Sequence, residues 1–292
     1  MNKIFLRILT MFYFLFPDKI FLQIRYYLEM KKKLNLKDPR TMNEKLQWLK
    51  INNRNPKYTL MVDKILVKNY VAELIGFEYI VPTIKIWSKI EDIDFKALPG
   101  KFVLKTNHSG GNNGIIICKD KAGLNISTTL AKLKRSLKTD IYKYYREWPY
   151  KNVQKKIFAE ELLEDSSGNL NDYKFYCFNG YVDCVLVCVD RQIGCPKFYF
   201  FNENWELKRY NKRGLQAPDN FTLPKPANLS TMFRIARKLS EGIPFVRVDL
   251  YNVEGKVYFG ELTFFPASGF DNNRLPSADL YFGSLINIEN II

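Results

Sequence analysis

The chain has a single histidine, His108, in 292 residues. That excludes every site needing two, HExxH metal chemistry included. Its five cysteines (Cys118, Cys177, Cys184, Cys188 and Cys195) are odd in number and contain no CxxC pair. Neither a disulfide framework nor a zinc knuckle is indicated, and reduced thiols in the cytoplasm are expected. Long hydrophobic runs are missing too. The most apolar stretch, residues 4–16, is interrupted by Arg7 and stopped by Pro17. It falls short of the roughly 20 residues that a membrane span needs, and no A-x-A cleavage site marks a signal peptide. Acidic residues are scarce: 30 Asp+Glu stand against 45 Lys+Arg, for a net charge of +15. Residues 1–58 alone hold 13 Lys/Arg against 4 Asp/Glu, a net +9. Such a surface suits an anionic partner. No nucleic-acid motif, repeat or low-complexity tract accompanies it, which leaves anionic lipid or an acidic glycan.

What is present suffices for a core. Hydrophobic residues make up 47% of the chain and aromatics 15%, enough for one large domain or two modest ones. Residues 19–33 read as a basic amphipathic helix ending in Lys31-Lys32-Lys33. An apolar helix with a basic cluster is the pattern of an interfacial membrane anchor, and equally of a helix packed on the main domain. Both readings stay open. Thr41-Met42-Asn43-Glu44 forms a capping box opening a helix over 44–52, and 63–74 is a second amphipathic helix ended by Gly76. Short strands are expected at 79–81 and 85–87, and helices at 124–137, 139–148 and 229–242. The last of these turns Met232, Ile235, Ala236 and Leu239 inward. Segments 157–163, 173–178, 181–189 and 198–201 read as strands, Asn179-Gly180 as a tight hairpin turn, and 211–226 as a polar loop.

The stretch 245–265, FVRVDLYNVEGKVYFGELTFF, reads as a β-hairpin, with Val246, Val248 and Leu250 alternating with Arg247 and Asp249. Val253-Glu254-Gly255 fits a three-residue loop with Gly255 in the left-handed position. An odd loop pairs odd positions with odd, so Arg247, Asp249, Glu261 and Thr263 share one face. Asp249 and Glu261 then lie diagonally across the ladder, roughly 7 Å apart at the backbone and within reach of a shared ion. The plainer reading is a polar outer face.

Upstream, the strand 101–105, KFVLK, runs into Thr106-Asn-His-Ser-Gly-Gly-Asn-Asn-Gly114 and a second strand at 115–118. A glycine-rich turn between strands offers backbone N–H groups to phosphate oxygens, with Lys105 beside it. It is not a Walker loop, because no G-K-[ST] follows. Asp92 and Asp94 form a D-x-D, the pattern with which many glycosyltransferases hold a metal and a sugar nucleotide.

Four motifs occur in order: NEKLQWLK at 43–50, LPGKFVLKTNHSGG at 98–111, DYKFYCFNG at 172–180 and VRVDLYNVEGKVYFGELTFFPASGF at 246–270. With them the chain resembles the TupA-like ATP-grasp family, associated with polysaccharide biosynthesis. The resemblance covers residues 16 to 270, nearly the whole chain. It implies an α+β class and an ATP-grasp fold, two α+β subdomains gripping ATP, behind a helical N-terminal region at 1–58. The ATP-grasp domain would span 59–292, with a Gly-loop subdomain at about 100–158 and a metal-binding subdomain at about 159–292.

It further implies roles. Lys105 would bind the nucleotide phosphates and act in catalysis, under a loop containing Ser109, Gly110, Gly111 and Gly114. Glu160, Glu161 and Leu162 would meet adenine at the hinge, largely through backbone groups. Asp172 would hold the ribose, with Lys174 or Arg191 adding positive charge. Asp249 and Glu261 would carry Mg²⁺, and Arg247 would stabilise an acyl-phosphate and the charge developing as it is attacked. Thr263 stands where the wider pattern has asparagine, so its metal coordination is open, as is the role of the tail after Phe270.

The activity implied is an ATP- and Mg²⁺-dependent carboxylate–amine ligase forming a C–N bond, for instance between an uronic acid and an amino acid. Its partners would be an acidic glycan or lipid-linked sugar precursor and an amine. It would work in the cytoplasm or peripherally at the inner membrane face. A glycosyltransferase using Asp92 and Asp94, or a non-catalytic ATP-binding protein, are the alternatives.

Overall fold

The computed structural model describes residues 2–111, 113–165, 170–190, 194–289 and 291. Two antiparallel sheets organise it. The smaller, ordered β1-β4-β2-β3, contains β1 (Thr83–Trp87), β2 (Phe102–Thr106), β3 (Ile115–Cys118) and β4 (Ile157–Glu160). The larger, ordered β10-β9-β5-β6-β7-β8, contains β5 (Asp172–Phe178), β6 (Tyr181–Val189), β7 (Lys197–Phe201), β8 (Leu207–Lys208), β9 (Val246–Val253) and β10 (Lys256–Thr263). The helices are α1 (Asn2–Met11), α2 (Asp18–Met30), α3 (Met42–Asn52), α4 (Lys57–Val62), α5 (Leu66–Ile75), α6 (Ile126–Leu137), α7 (Ile141–Tyr145), α8 (Lys212–Leu215), α9 (Leu229–Ser240) and α10 (Pro276–Leu285).

Alternation along β5 explains the layering. Phe175 meets Phe233 of α9 edge-on at 5.1 Å, while its neighbour Tyr176 stacks on Phe282 of α10 at 5.4 Å. Successive strand residues face opposite sides, so α9 covers one face and α10 part of the other. The expected inward set of α9, Met232, Ile235, Ala236 and Leu239, is buried. A separate core under α6 unites Leu133 with Trp87, Phe102 and Leu104 of the smaller sheet.

Helix α3 opens with the full capping box: Thr41 accepts from the Glu44 N–H, and Glu44 accepts from the Thr41 N–H. Its residues Asn43, Gln47 and Lys50, spaced by about one turn each, grip the main chain just beyond the large hairpin. Gln47 donates to the carbonyls of Ser268 and Gly269, at 3.0 and 2.8 Å, and Lys50 to that of Ser268 at 2.8 Å. Asn43 exchanges hydrogen bonds with the Asp271 backbone. These contacts fix Ala267 and Ser268 in left-handed conformations, at φ 49° and 52°. The segment after Phe270, unassigned from sequence, forms α10 and packs on α3, with Phe282 in the core.

Several expectations are corrected. Residues 79–81 are not a strand: a 3₁₀ turn occupies Phe77–Tyr79, and only Ile80 bridges, to Phe259. The helix expected from Asp63 begins at Leu66, because the Asp63 carboxylate accepts the N–H groups of Ile65 and Leu66 instead of joining the helix. The helix expected at 139–148 stops at Tyr145, where Arg146 turns left-handed at φ 56°. The strand expected at 157–163 ends at Glu160, and the 211–226 loop contains α8.

The hairpin differs most instructively. Its turn has two residues, Glu254 and Gly255, at φ 49° and 72°, a conformation that matches strand twist. A two-residue turn pairs odd positions with even, as Phe259 with Leu250. A bulge at Gly260 then shifts the register, so Asp249 sits directly opposite Glu261 rather than diagonally, and Arg247 opposite Thr263. The shared face survives through a different cause. A side chain at Gly260 would meet the Asp249 carbonyl oxygen at 3.0 Å and the Tyr251 ring at 3.1 Å, which is why the bulge carries glycine.

Candidate functional site

Register across β5, β9 and β10 lays the chemistry out in rows. Lys174 pairs with Asp249, which pairs with Glu261; one step along, Tyr176 pairs with Arg247, which pairs with Thr263. Each row is continuous over three strands and lies on the face partly covered by α10. Asp249, 2% exposed, accepts from Arg247 Nε and Nη2, both at 2.6 Å, and from Lys174. Lys174 also pairs with Asp172 at 2.8 Å. Thr263 donates to Glu261 Oε1 and accepts from Arg247 Nη2, each at 3.1 Å. Its hydroxyl therefore braces the arginine against the carboxylate.

Charges this crowded set each other's protonation. Burial opposes the Glu261 carboxylate, yet Lys64, Lys174 and Arg247 outweigh it and hold the group below the ordinary carboxylate range. Burial likewise disfavours the Lys174 ammonium, but Asp249 and Asp172 raise it above the usual lysine value. Glu261 and Lys174 are therefore both held in their charged forms at neutral pH.

Lys64, which sequence reading missed, enters from the turn between α4 and α5 and donates to Glu261. The same turn holds the base of the glycine loop. Asp63 accepts from the Asn107 side chain at 2.7 Å, and the Lys64 N–H donates to the Asn107 carbonyl at 3.0 Å. One turn thus ties the carboxylate row of the larger sheet to the loop of the smaller. Val62-Asp63-Lys64 carried no local signal beyond an Asp before a helix; its importance comes from tertiary placement.

On the smaller sheet Lys105 donates to Glu160 of the neighbouring β4. Lys68 of α5, also unanticipated, reaches the other Glu160 oxygen at 2.9 Å, together with the Val81 carbonyl and the Thr83 hydroxyl. Burial opposes the Glu160 charge, and Lys105 and Lys68 more than offset it, holding its carboxyl low. Glu160 therefore presents a lysine-bound side chain. Glu161 follows in open chain, its N–H on the Pro82 carbonyl at 3.1 Å, with Leu162 half-buried beside it.

Within the glycine loop the residues divide. The Ser109 side chain points inward, bonded to the Thr106 hydroxyl at 2.7 Å and the Asn113 carbonyl at 2.6 Å. Gly114, at φ 69°, lies where a side chain would strike the Ser136 and Thr106 hydroxyls, so it serves packing. Gly110 and Gly111 have nothing within 4 Å of a side-chain position. Those two are open to a ligand. His108 is buried, its Nε2 3.2 Å from the Ser136 carbonyl oxygen, and burial pushes its pKa down to about 4. It is a neutral core residue.

Arg191 lies outside the described residues. Asp92 and Asp94 are both exposed, and Asp94 accepts from the Lys96 N–H in its own turn. Among the described residues no group of three or more His, Cys, Asp or Glu side chains is assembled for a metal. The Asp249–Glu261 pair still fits Mg²⁺ by its donor chemistry: it offers hard carboxylate oxygens on adjacent positions, and this ion takes one or two carboxylates plus phosphate oxygens.

Solved ATP-grasp ligases share similarity over most of the chain. D-alanine–D-alanine ligase from Bacillus anthracis is 15% identical with a TM-score of 0.43, covering 77% of this chain and 65% of that one. The Helicobacter pylori D-alanine–D-alanine ligase is 13% identical with a TM-score of 0.43, covering 85% and 70%. PsnB, an ATP-grasp ligase solved with a minimal precursor, Mg and ADP, is 14% identical with a TM-score of 0.40, covering 84% and 65%. The chain thus spans about two thirds of the length of these relatives. No curated protein matches. A model of the TupA-like ATP-grasp family matches residues 44–287. The chain belongs to that family, and its α+β architecture is the ATP-grasp fold.

Proposed function

We propose that this protein is an ATP- and Mg²⁺-dependent carboxylate–amine ligase of surface polysaccharide biosynthesis. The observation that carries the reading is the row Lys174–Asp249–Glu261 with Arg247 braced beside it, opposite a glycine loop reached through the Asp63–Lys64 turn. In this reading Asp249 and Glu261 hold Mg²⁺, which supplies charge neutralisation at the phosphates. Thr263 orients Glu261 and Arg247 instead of acting as a full metal ligand. Lys64, Lys105, Lys174 and Arg191 supply positive charge to the nucleotide, and the N–H groups of Gly110 and Gly111 contact its phosphates. The chain at Glu161–Leu162 meets adenine, and Asp172 holds the ribose. The Gly-loop unit at about 100–158 and the unit at about 159–292 form the two sides of the cleft.

The reaction runs in two steps. An acid substrate's carboxylate oxygen attacks the γ-phosphorus, releasing ADP and giving an acyl-phosphate. A neutral amine then attacks the acyl carbon; phosphate leaves, the nitrogen loses a proton, and an amide remains. In this reading Arg247 stabilises the negative charge that develops in both steps. Positioning and charge neutralisation do the catalysis, so no Ser, Cys or His nucleophile is needed. The net +9 of residues 1–58 supports an acidic glycan or lipid-linked precursor as the acid, with an amino acid as the amine. The test is Mg²⁺-dependent ADP release with uronic acids and amino acids, in the native chain and in Glu261→Gln. Turnover should fall by on the order of 100-fold; unchanged turnover would remove the assignment.

A further inference from the structure

The N-terminal helix pair has one buried face and one exposed face, and the two differ in character. The inner face docks. Phe21, Leu22 and Tyr26 of α2 are buried with Leu9 of α1. Arg25 donates to the Tyr144 carbonyl at 2.7 Å, Arg146 to the Tyr13 carbonyl at 2.6 Å, and Asp18 pairs with Arg54 at 2.5 Å. The outer face is apolar and bare. Ile4, Ile8 and Met11 recur at helical spacing on α1, and Ile20, Ile24 and Tyr27 on α2, all exposed. The connection between the helices projects Phe14 and Leu15, 67% and 63% exposed.

Soluble surfaces seldom gather this much apolar area without a partner, and the surrounding charge indicates which. Between residues 4 and 33 every exposed charged side chain is cationic: Arg7, Lys19, Lys31, Lys32 and Lys33. The two acidic residues of that stretch are half-buried and committed, Asp18 to Arg54 and Arg146, Glu29 to Arg25. A second copy of this chain would bring the same cations face to face across a two-fold axis, which opposes self-association. An anionic bilayer meets both needs, taking the apolar side chains into its interface and the lysines at its headgroups. Among the described residues no helix is long and apolar enough to cross it; α1 is only about 15 Å long, half a bilayer core.

We infer that the outer face of α1 and α2 rests on a membrane surface containing anionic lipid. The docked inner face then fixes how the rest of the chain is presented to that surface. Binding of the full chain to phosphatidylcholine vesicles is compared with vesicles containing an equal part of phosphatidylglycerol. The native chain should co-sediment with the anionic vesicles and hardly with the neutral ones. Phe14→Glu with Leu15→Glu should abolish this, and Lys31→Gln, Lys32→Gln and Lys33→Gln together should weaken it by on the order of 100-fold. The lysine variant changes only exposed side chains, so it reports on binding even if the first variant folds poorly. Equal association with both vesicle types, or none with either, overturns the inference. So does light scattering that finds a dimer lost in Phe14→Glu with Leu15→Glu, which would assign the face to a second copy.

Discussion

On the smaller sheet one carboxylate, Glu160, is shared by two lysines, Lys68 and Lys105. On the larger sheet three carboxylates, Asp172, Asp249 and Glu261, stand among Lys64, Lys174 and Arg247. The first cluster has a cation in surplus and can accept an anion without losing its structure. Among the described residues the second is balanced and interlocked: Asp249 alone takes both Lys174 and Arg247. Surplus positive charge beside a glycine loop suits phosphate, and a balanced carboxylate row suits a divalent ion that arrives with phosphate. In the proposed function the two clusters divide the labour, and they should respond unequally to damage.

The largest effect is expected at the interlocked centre. Asp249→Asn removes the one carboxylate that the buried Lys174 and Arg247 share, leaving them only Asp172 and Glu261, and should cost about 3–5 kcal/mol, read as a fall in the urea midpoint. A loss below about 1 kcal/mol would mean that the row is not structurally coupled. A smaller effect is expected from the glycine that sets the register. Gly260→Ala drives a methyl against the Asp249 carbonyl and should destabilise by about 1–3 kcal/mol. Gly110→Ala, in open space on the other sheet, should change stability by less than about 0.5 kcal/mol. Equal costs at the two glycines would break the contrast between a packed register-setting site and an open glycine loop.

Much of this was legible in the sequence, and the misses have physical causes. Strand alternation in 246–250 and the β-rich 257–264 announced the hairpin because that signal is local. Its loop was misread since Glu254 occupies a left-handed position more often given to glycine or asparagine. Gly260, a glycine inside a strand, was the visible sign of the bulge that restored the face. Ser109 and Gly114 looked like ligand-facing loop residues; both are used in packing, which only neighbours such as Ser136 reveal. Lys64 and Lys68 were invisible because their partners lie 197 and 92 residues away along the chain. The motif Asn43–Lys50 has a reason that only the tertiary structure displays, the grip of Asn43, Gln47 and Lys50 on the backbone at 268–271.

The assignment of Asp249 and Glu261 to a nucleotide-linked metal is tested most directly by calorimetric titration of ATP with and without Mg²⁺, on the native chain and Glu261→Gln. The native chain should bind ATP at least about tenfold more tightly with Mg²⁺, a difference near 1.4 kcal/mol, and Glu261→Gln should lose that gain while still binding free ATP. Affinity indifferent to Mg²⁺ in the native chain, or a gain that persists in Glu261→Gln, would contradict the account.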